Sequence, residues 1–377
     1  MILKRLSLVN YKNIERADLD FSDKLNCIIG ANGMGKTNLL DSIYYLSFTR
    51  PNIYIPDSMV IRDGSEMAVI DAEYEANGKK DSLYLGLRNG KSKVLKRNKK
   101  TYSKLSDHIG LFPLVMISPA DSELIFGGSG ERRKFVDQIV CQESRQYMNA
   151  AILYRRLLEQ RNAILKQPYS IDLNVLSIVD HRMANVGASI LRYRAEWIER
   201  IRPLFLEYYQ TISDSSDVVD LQYLSSLREI SSVDFGTETS EDLLEAWQCT
   251  LDRDKALGYT TIGPHRDDLE MLLSGHLIRR VGSQGQNKSY LIALKFAQFA
   301  LLRELHGNNT PIILLDDIFD KLDEHRVSRI VNLVAGEDFG QIFMTDTNRK
   351  YLDQILAQLP VQNHSILHTV DGSFTPL

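Results

Sequence analysis

The chain has 377 residues and a formal net charge of −4, and 44% of its residues are hydrophobic and 25% charged. This length can hold one large domain or two of ordinary size, and the composition is typical of a soluble globular protein. The small negative charge excludes a global attraction to nucleic acid, so any DNA contact requires a local basic patch.

The N-terminus and the cysteines predict a cytoplasmic protein. Charged residues interrupt every apolar stretch before it reaches the roughly 20 residues of a membrane-spanning helix, and residues 1–5 lack the apolar run of a secretory signal. Cys27, Cys141 and Cys249 are odd in number and far apart in sequence, which favours reduced thiols over a disulfide framework.

Three strands and a helix are predicted around a glycine-rich loop near the N-terminus. Apolar and polar residues alternate around Leu6 and Leu8 and again around Leu19 and Phe21, as in half-buried strands. Residues 25–29 form a short apolar strand that enters the loop. After the loop, apolar residues recur with helical spacing at Leu39, Leu40, Ile43 and Leu46.

The loop itself has the Gly-x-x-x-x-Gly-Lys-Thr pattern that binds nucleotide phosphates. It consists of Gly30, Ala31, Asn32, Gly33, Met34, Gly35, Lys36 and Thr37. The glycines let backbone N–H groups approach phosphate oxygens, and the following helix directs its positive end at the same anion. We expect Lys36 to contact the β- and γ-phosphates of ATP and the Thr37 hydroxyl to hold Mg²⁺. A chance glycine turn is the alternative, which the flanking strand and helix disfavour.

The middle of the chain predicts a β-meander and then a helical arm. Strand-like segments over residues 69–102 are separated by Asn77-Gly78 and Asn89-Gly90, which favour the positive φ angles of hairpin turns. Residues 131–203 have helical periodicity that Pro168 interrupts, so we expect an antiparallel pair of helices.

Beyond the arm, the pattern predicts short strands and further helices. Residues 211–240 are rich in Ser and Asp and predict a loop with one short strand. A helix is expected to follow Ser240 as its N-cap, and strands are expected around residues 259–261 and in a hairpin that turns at Ser274-Gly275.

A second anion-binding segment precedes a helix that is predicted to run through Leu305. It contains Ser283, Gly285 and Gln286, and a Ser hydroxyl and a glycine N–H at a helix N-terminus can bind an anion. A plain helix cap is the alternative. We expect Lys36 to surround one phosphate together with Asp316, a carboxylate that follows an apolar run in the C-terminal third, so we expect this segment to bind the nucleotide of another chain.

Two acidic residues follow a buried strand in the C-terminal third. Residues 312–315 are all branched or apolar, which predicts a parallel strand, and another strand is predicted at 341–345. Carboxylates at the C-terminal end of such a strand face the crevice where α/β sheets bind ligands. We expect Asp316 to bind Mg²⁺ and Asp317 to polarise the attacking water, with Lys36 as the second catalytic residue. Two solvated strand-end residues are the alternative.

These motifs, in this order, resemble those of the RecF family of bacterial DNA-repair ATPases, relatives of the SMC heads within the ABC class. The resemblance extends over nearly the whole chain, and residues 260–269 are its most specific part. Beyond the segments described above, it also rests on residues 10–13, 118–119, 127–128, 131–137 and 320–323. No long heptads lie between Lys36 and Ser283, so an extended coiled coil like that of SMC proteins does not fit.

The resemblance implies an α/β fold, with an ABC-type P-loop ATPase head that has an antiparallel β-meander and an inserted α-helical arm. The head would comprise residues 1–118 and 258–377, and the arm residues 119–257. The family also implies a homodimer that forms on ATP, with each nucleotide held by Lys36 of one chain and by Ser283 and Gly285 of the other. Gln286 and Asp323 would lie at the same nucleotide.

The function that the resemblance implies is an ATP-dependent DNA-binding clamp of recombinational repair and replication restart, located at the nucleoid. It would be a weak, DNA-stimulated ATPase that binds double-stranded DNA near single-strand gaps. RecR and RecO would be its partners in placing RecA on single strands. ATP and Mg²⁺ are the expected cofactors.

Two features depart from the ABC pattern. Residues 343–347 contain no switch histidine, and no glutamine lies near residues 117–119, where a Q-loop is expected. Both absences suggest slow hydrolysis. Thr345 and Asp346 are the candidates for the switch position.

Two basic clusters are candidates for DNA contacts that neutralise phosphates without reading sequence. One lies at the meander and the other on the arm, and the sequence does not decide between them or exclude that both are solvated faces. The residues are Lys96, Arg97, Lys99, Arg132, Arg133, Arg155 and Arg156.

Other functions remain open at this point. An ATPase subunit of a nuclease-linked or anti-phage complex would have the same head but a tightly bound effector chain. A small-molecule kinase would need an acceptor pocket and no Ser283 segment. A transporter's nucleotide-binding subunit is disfavoured by the arm.

Overall fold

The computed structural model describes residues 1–53, 55–167, 172–213, 216–229, 234, 236–307, 309–319, 322–336, 338–346 and 364–377. Two compact units collect segments that are far apart in sequence. The first contains Met1–Asp121, Tyr208–Asp214 and Ser283–Leu377, and the second contains Ser122–Glu207 and Ser215–Gly282. Among the described residues, no helix combines the length and the apolar composition needed to cross a membrane.

The strands, in chain order, are β1 (Ile2–Tyr11), β2 (Ile14–Asp20), β3 (Leu25–Ile29), β4 (Met67–Ala76), β5 (Lys79–Arg88), β6 (Val94–Arg97), β7 (Lys100–Thr101), β8 (Leu114–Ile117), β9 (Val219–Leu224), β10 (Asp268–Leu273), β11 (His276–Leu277), β12 (Ile312–Asp316), β13 (Ile342–Asp346), β14 (His364–Val370) and β15 (Ser373–Pro376). The helices are α1 (Lys36–Phe48), α2 (Glu123–Phe126), α3 (Ser129–Glu143), α4 (Arg145–Leu165), α5 (Leu173–Ser213), α6 (Ser240–Cys249), α7 (Leu251–Leu257), α8 (Ile278–Val281), α9 (Gln284–His306) and α10 (Glu324–Ala335).

A largely parallel sheet positions the candidate site in the first unit. Its order is β15-β14-β3-β13-β12-β8, and β3 pairs in parallel with both β13 and β14. Strands β12 and β13 also run parallel. The carboxyl ends of β3, β12 and β13 therefore meet at one edge of the sheet, where α/β proteins bind their ligands.

The second sheet of this unit is the antiparallel meander that the sequence predicts, in the order β2-β1-β4-β5-β6-β7. At the β4–β5 turn Asn77 and Gly78 both have positive φ, 51° and 71°, as a two-residue hairpin turn requires. Residues of this sheet, of α1 and of the parallel sheet form one hydrophobic core. Helix α1 is buried along nearly its whole length, which fixes the loop that precedes it.

The second unit combines helices α2–α4, α6–α8 and most of α5 with the small antiparallel sheet β11-β10-β9. Buried arginines join its elements. Arg161 on α4 is fully buried and donates to Asp180 on α5 and Asp254 on α7, at 2.8 and 2.7 Å. Arg194 on α5 donates to Asp137 and to the Tyr223 hydroxyl at 2.8 and 2.6 Å.

The structure differs from the sequence-based expectation at residues 259–261, where no strand forms. The Thr260 and Thr261 backbone N–H groups donate instead to the side chains of Asn162 and Asp254, at 2.8 and 3.0 Å. Side-chain acceptors thus take the hydrogen bonds that a neighbouring strand would otherwise supply.

Two helix boundaries also differ from the prediction. The N-cap of α6 is Thr239 rather than Ser240, because the Thr239 hydroxyl and the Asp242 carboxylate form a reciprocal capping box. Helix α5 continues through Pro203 to Ser213. Burial of Phe205, Tyr209 and Ile212 offsets the hydrogen bond that proline removes. The predicted break at Pro168 lies outside the described residues.

The division of the chain also differs from the predicted domains. Residues 258–282 were expected in the head but belong to the second unit, because β10 pairs with β9 over six residue pairs. The predicted break at 118–119 lies three residues before the observed one at Asp121. Tyr208–Asp214 belongs to the first unit, although the prediction placed it in the arm.

Candidate nucleotide-binding site

The phosphate loop joins the end of β3 to the start of α1, as its sequence pattern predicts. Gly33 and Gly35 have φ angles of 81° and 106°, which strongly favour glycine. The buried Lys36 side chain turns back over the loop, and its Nζ donates to the carbonyls of Gly30 and Ala31 at 2.7 and 3.1 Å. The amine thus lies inside the loop, where a phosphate oxygen would meet it.

The Thr37 hydroxyl and Asp316 come together beside this loop. Thr37 Oγ1 lies 3.0 Å from both carboxylate oxygens of Asp316, which ends β12. The pKa of Asp316 is raised, because burial outweighs the lowering effect of the hydrogen bonds from Thr345 and Thr37. A hydroxyl and a carboxylate are oxygen ligands that suit Mg²⁺, and a bound cation would favour the charged carboxylate.

Thr345, on the neighbouring strand β13, joins the two aspartates. Its hydroxyl donates to Asp316 Oδ1 at 2.7 Å and accepts from the Asp317 N–H at 3.1 Å. Asp317 has a left-handed backbone with φ 46°, and among the described residues its carboxylate has no hydrogen-bond partner. The carboxylate is therefore available to a water molecule. Of the two switch candidates, Thr345 touches the Asp pair through these hydrogen bonds, and Asp346 is the next residue, at the end of β13.

The C-terminal hairpin supports the phosphate loop, which the sequence did not reveal. The Thr369 hydroxyl and the Gly372 N–H both donate to the Met34 carbonyl, at 2.9 and 3.0 Å. A Cβ on Gly30 would lie 2.6 Å from the Thr369 carbonyl oxygen, so the hairpin approaches too closely for another residue. Asn13, in the β1–β2 turn, accepts from Asn38 at 2.7 Å on the other side. The phosphate loop and the start of α1 are thus held from two sides.

The Ser283 segment forms an exposed helix start. Ser283 caps α9, and its hydroxyl accepts from the Gln286 N–H at 3.2 Å while the Gln286 side chain accepts from the Ser283 N–H at 2.9 Å. The Asp323 side chain caps α10 by accepting from the Arg326 N–H at 2.9 Å. Both caps are exposed, so a second molecule can reach them. Asp320 and Lys321 lie outside the described residues.

At residues 118–119, where a Q-loop glutamine is absent, an ion pair occupies the region. The Ser118 N–H donates to Asp121 at 2.8 Å, and Lys295 of α9 pairs with the same carboxylate at 2.7 Å. This contact links the region after β8 to α9, the helix that Ser283 caps.

Some candidate DNA contacts are already paired with other groups of the protein, and others are exposed. Arg132 is 6% exposed and pairs with both oxygens of Asp268 at 2.6 and 2.9 Å, so it belongs to the interior of the second unit and cannot bind DNA from there. Arg97 makes a similar two-bond pair with Asp81. Arg133 is half-buried and donates to the Asp267 carbonyl.

Lys96 lies 5.2 Å from the centre of the Tyr84 ring and is half-exposed. Lys99, Arg155 and Arg156 are exposed. Among the described residues, Arg155 forms an ion pair with Glu159, whereas Lys99 and Arg156 form none.

The most specific motif, residues 260–269, organises the second unit. His265 lies between the Tyr154 hydroxyl and the Thr260 carbonyl, at 2.9 and 3.0 Å. Burial lowers the pKa of His265 to about 4, so its ring is neutral at pH 7. Asp267 is buried and accepts from Tyr223 at 3.0 Å. These contacts give the motif a packing role.

Comparisons with known proteins agree with this architecture. The model of the RecF/RecN/SMC N terminal domain family matches residues 2–365. The DNA replication and repair protein RecF of Parabacteroides distasonis is 48% identical over 377 residues, which cover all of both chains. The chain belongs to the RecF family.

Solved structures extend this likeness to three dimensions. One described as the recombination mediator protein RecF-ATP in the RecFOR pathway has a TM-score of 0.89 at 27% identity, and covers 100% of this chain and 97% of the other. An SMC head bound to the C-winged helix domain of ScpA, at TM-score 0.57 and 14% identity, shares the fold over 100% of this chain and 97% of its own. The predicted fold class, an ABC-type ATPase head with an antiparallel meander, is therefore confirmed.

Proposed function

We propose that this chain is an ATP-dependent DNA-binding clamp of recombinational repair and replication restart, and a weak, DNA-stimulated ATPase. The observation that carries the proposal is the meeting of Lys36, Thr37, Asp316 and Asp317 at one sheet edge. Relatives named for DNA replication and repair, and a RecF-ATP structure in the RecFOR pathway, support the biological role. RecR and RecO are the proposed partners in loading RecA on single strands.

Different residues of the chain have separate roles at the nucleotide. Lys36 and the loop N–H groups bind the phosphates. Thr37 and Asp316 would hold Mg²⁺, which neutralises phosphate charge. Asp317 orients and polarises the attacking water, and Thr345 positions both aspartates through its hydroxyl. An ordinary threonine in the place of a switch histidine fits slow turnover.

Dimer formation on ATP is the step that makes this ATPase a clamp. Ser283 is exposed at the start of α9 and Gly285 and Gln286 are partly exposed, so a second molecule can reach this segment. Asp323 presents a second exposed cap in the same unit. A γ-phosphate held by one copy would meet the α9 N-terminus of the other, and two nucleotides would then be enclosed between the copies.

Ser283→Arg is expected to prevent this dimer while leaving each copy able to bind ATP. The larger, positively charged side chain blocks the helix start, whereas the phosphate loop is untouched. Sedimentation of wild type and variant with a slowly hydrolysed ATP analogue should show dimers and nucleotide-bound monomers, respectively.

Thr239→Arg is the matched control, because Thr239 also caps a helix with a reciprocal box but in the second unit. Losing either cap costs about 0.5–2 kcal/mol of stability, so a shared effect of cap loss would appear in both variants. A normal ATP-driven dimer of Ser283→Arg would contradict the proposal.

Double-stranded DNA next to a single-strand gap is the proposed nucleic acid, and we place its contact at the meander. Lys99 and Lys100 are exposed at the β6–β7 turn without a carboxylate partner among the described residues, and Lys96 precedes them. On α4, Arg155 is already paired with Glu159. The meander thus offers more free positive charge.

Changing Lys99 and Lys100 together to Glu should weaken binding to a gapped duplex. Each lost phosphate contact should also reduce the salt slope of the affinity by about 0.9. Fluorescence anisotropy at several salt concentrations, in the presence of the ATP analogue, measures both effects. Arg155→Glu with Arg156→Glu is the comparison, and a larger loss in that pair would move the contact to α4.

A further inference from the structure

The guanidinium of Arg326 lies against the backbone of Gly285. A Cβ on Gly285 would collide with Nη1 of Arg326, so only glycine fits at this position while the arginine keeps its place. Arg326 is the third residue of α10, and Gly285 is the second residue of α9. The contact therefore brings a positive side chain to the N-terminus of a 23-residue helix.

In the part of the chain that the structure describes, Asp323 is the one acidic side chain that pairs with Arg326. Its Nε lies 3.3 Å from Asp323 Oδ2, and the arginine and aspartate side chains are 19% and 54% exposed. Among the described residues, neither terminal nitrogen of the guanidinium has a hydrogen-bond partner. A guanidinium carries five N–H donors, so most of this side chain's capacity is unused although it is largely buried.

Positive charge is concentrated at this helix start, and the Asp323 carboxylate beside Arg326 offsets part of it. The N-terminus of α9 carries a partial positive charge, and the Arg326 guanidinium adds a full one beside it. An anion at this position would interact with both and would take up the unused donors. Planar guanidinium groups match phosphate oxygens with two parallel hydrogen bonds.

We propose that Arg326 is a phosphate-binding residue, which together with Ser283 and Gly285 receives the triphosphate bound by a second copy of the chain. Asp323 holds the guanidinium in place until that phosphate arrives. Gly285 is required because it lets Arg326 reach the helix start. This inference rests on the proposed dimer and assigns it a donor that neither the phosphate loop nor the Ser283 cap provides.

The test uses Arg326→Gln and Arg326→Lys in the full-length chain. Nucleotide binding by the monomer, measured with a fluorescent ATP analogue, should equal that of wild type because the phosphate loop is intact. The dimer dissociation constant with a slowly hydrolysed analogue should rise about tenfold or more for Arg326→Gln, as expected for losing a charged hydrogen bond. Arg326→Lys should recover part of this loss, since it restores the charge but not the planar fork.

Arg329→Gln, one turn further along α10, is the matched control and should dimerise as wild type does. Thermal unfolding without nucleotide identifies any variant that has lost its fold. If Arg326→Gln does not fold, the dimer dissociation constant of Arg326→Lys is compared with that of wild type instead. If Arg326→Gln dimerises like wild type while Ser283→Arg does not, the assignment of Arg326 is wrong and the proposed function stands. If wild type fails to dimerise with ATP, both are wrong.

Discussion

Lys36→Met is expected to lower the affinity for ATP about 100-fold or more and to abolish the ATP-driven dimer. The Lys36 amine lies within the phosphate loop, and methionine has a similar length but no charge or donor. Hydrogen bonds from a charged group contribute about 1.5–3 kcal/mol each, so losing two of them accounts for this factor. Calorimetric titration with ATP and Mg²⁺, followed by sedimentation, measures both effects.

Lys24→Met is the matched control for this substitution. The Lys24 amine also lies on two backbone carbonyls, those of Gly336 and Phe339, but before the first residue of β3 rather than beyond its last. Each variant thus loses two hydrogen bonds from a lysine amine to backbone carbonyls, at opposite ends of one strand. Only Lys36→Met should have a reduced affinity for ATP. Similar losses in both would show that the lysine acts through stability alone.

The phosphate loop could be predicted from sequence because its information is local. Residues 25–29, the glycines and Lys36 lie next to one another in the chain, and the structure places strand, loop and helix within those bounds. Asn77-Gly78 is equally local, because its positive φ angles depend on the turn alone. The conformation of a short motif of this kind depends mainly on its own residue types, which a sequence shows directly.

The support of the loop could not be predicted in this way. Thr369 reaches Met34 only because β14 pairs with β3, across more than 300 residues of sequence. Likewise, no local pattern shows that Arg326 would lie on Gly285. Such contacts arise from strand order and helix packing, which single-sequence periodicity does not specify.

Charge patterns were the least informative part of the sequence. Arg132 and Arg161 look like members of exposed basic clusters, yet both are buried in ion pairs of the second unit. Their partners Asp268 and Asp254 lie more than 90 residues away in the chain. A run of arginines therefore indicates DNA binding only after the structure shows which guanidinium groups remain exposed.

Asp317→Asn is expected to slow ATP hydrolysis about 10²–10⁴-fold, the usual contribution of a general base, and to trap the ATP-bound dimer. Asparagine tolerates the left-handed backbone that Asp317 adopts at φ 46°, so the strand end should keep its shape. The Asp317 N–H that donates to Thr345 is also retained. Single-turnover hydrolysis and sedimentation with ATP itself measure the rate and the trapped dimer.

Asp316→Asn separates the two acidic roles. Asp316 accepts hydrogen bonds from Thr37 and Thr345 and lies where Mg²⁺ is expected, so its amide variant should lose Mg²⁺-dependent ATP binding and form no dimer. The two neighbouring substitutions should thus have opposite effects on dimer formation. Asp317→Asn slows hydrolysis, so the ATP-bound dimer persists, whereas Asp316→Asn removes a Mg²⁺ ligand, so ATP binding and the dimer are lost. A dimer trapped equally by both variants would assign the water-polarising role to neither carboxylate alone.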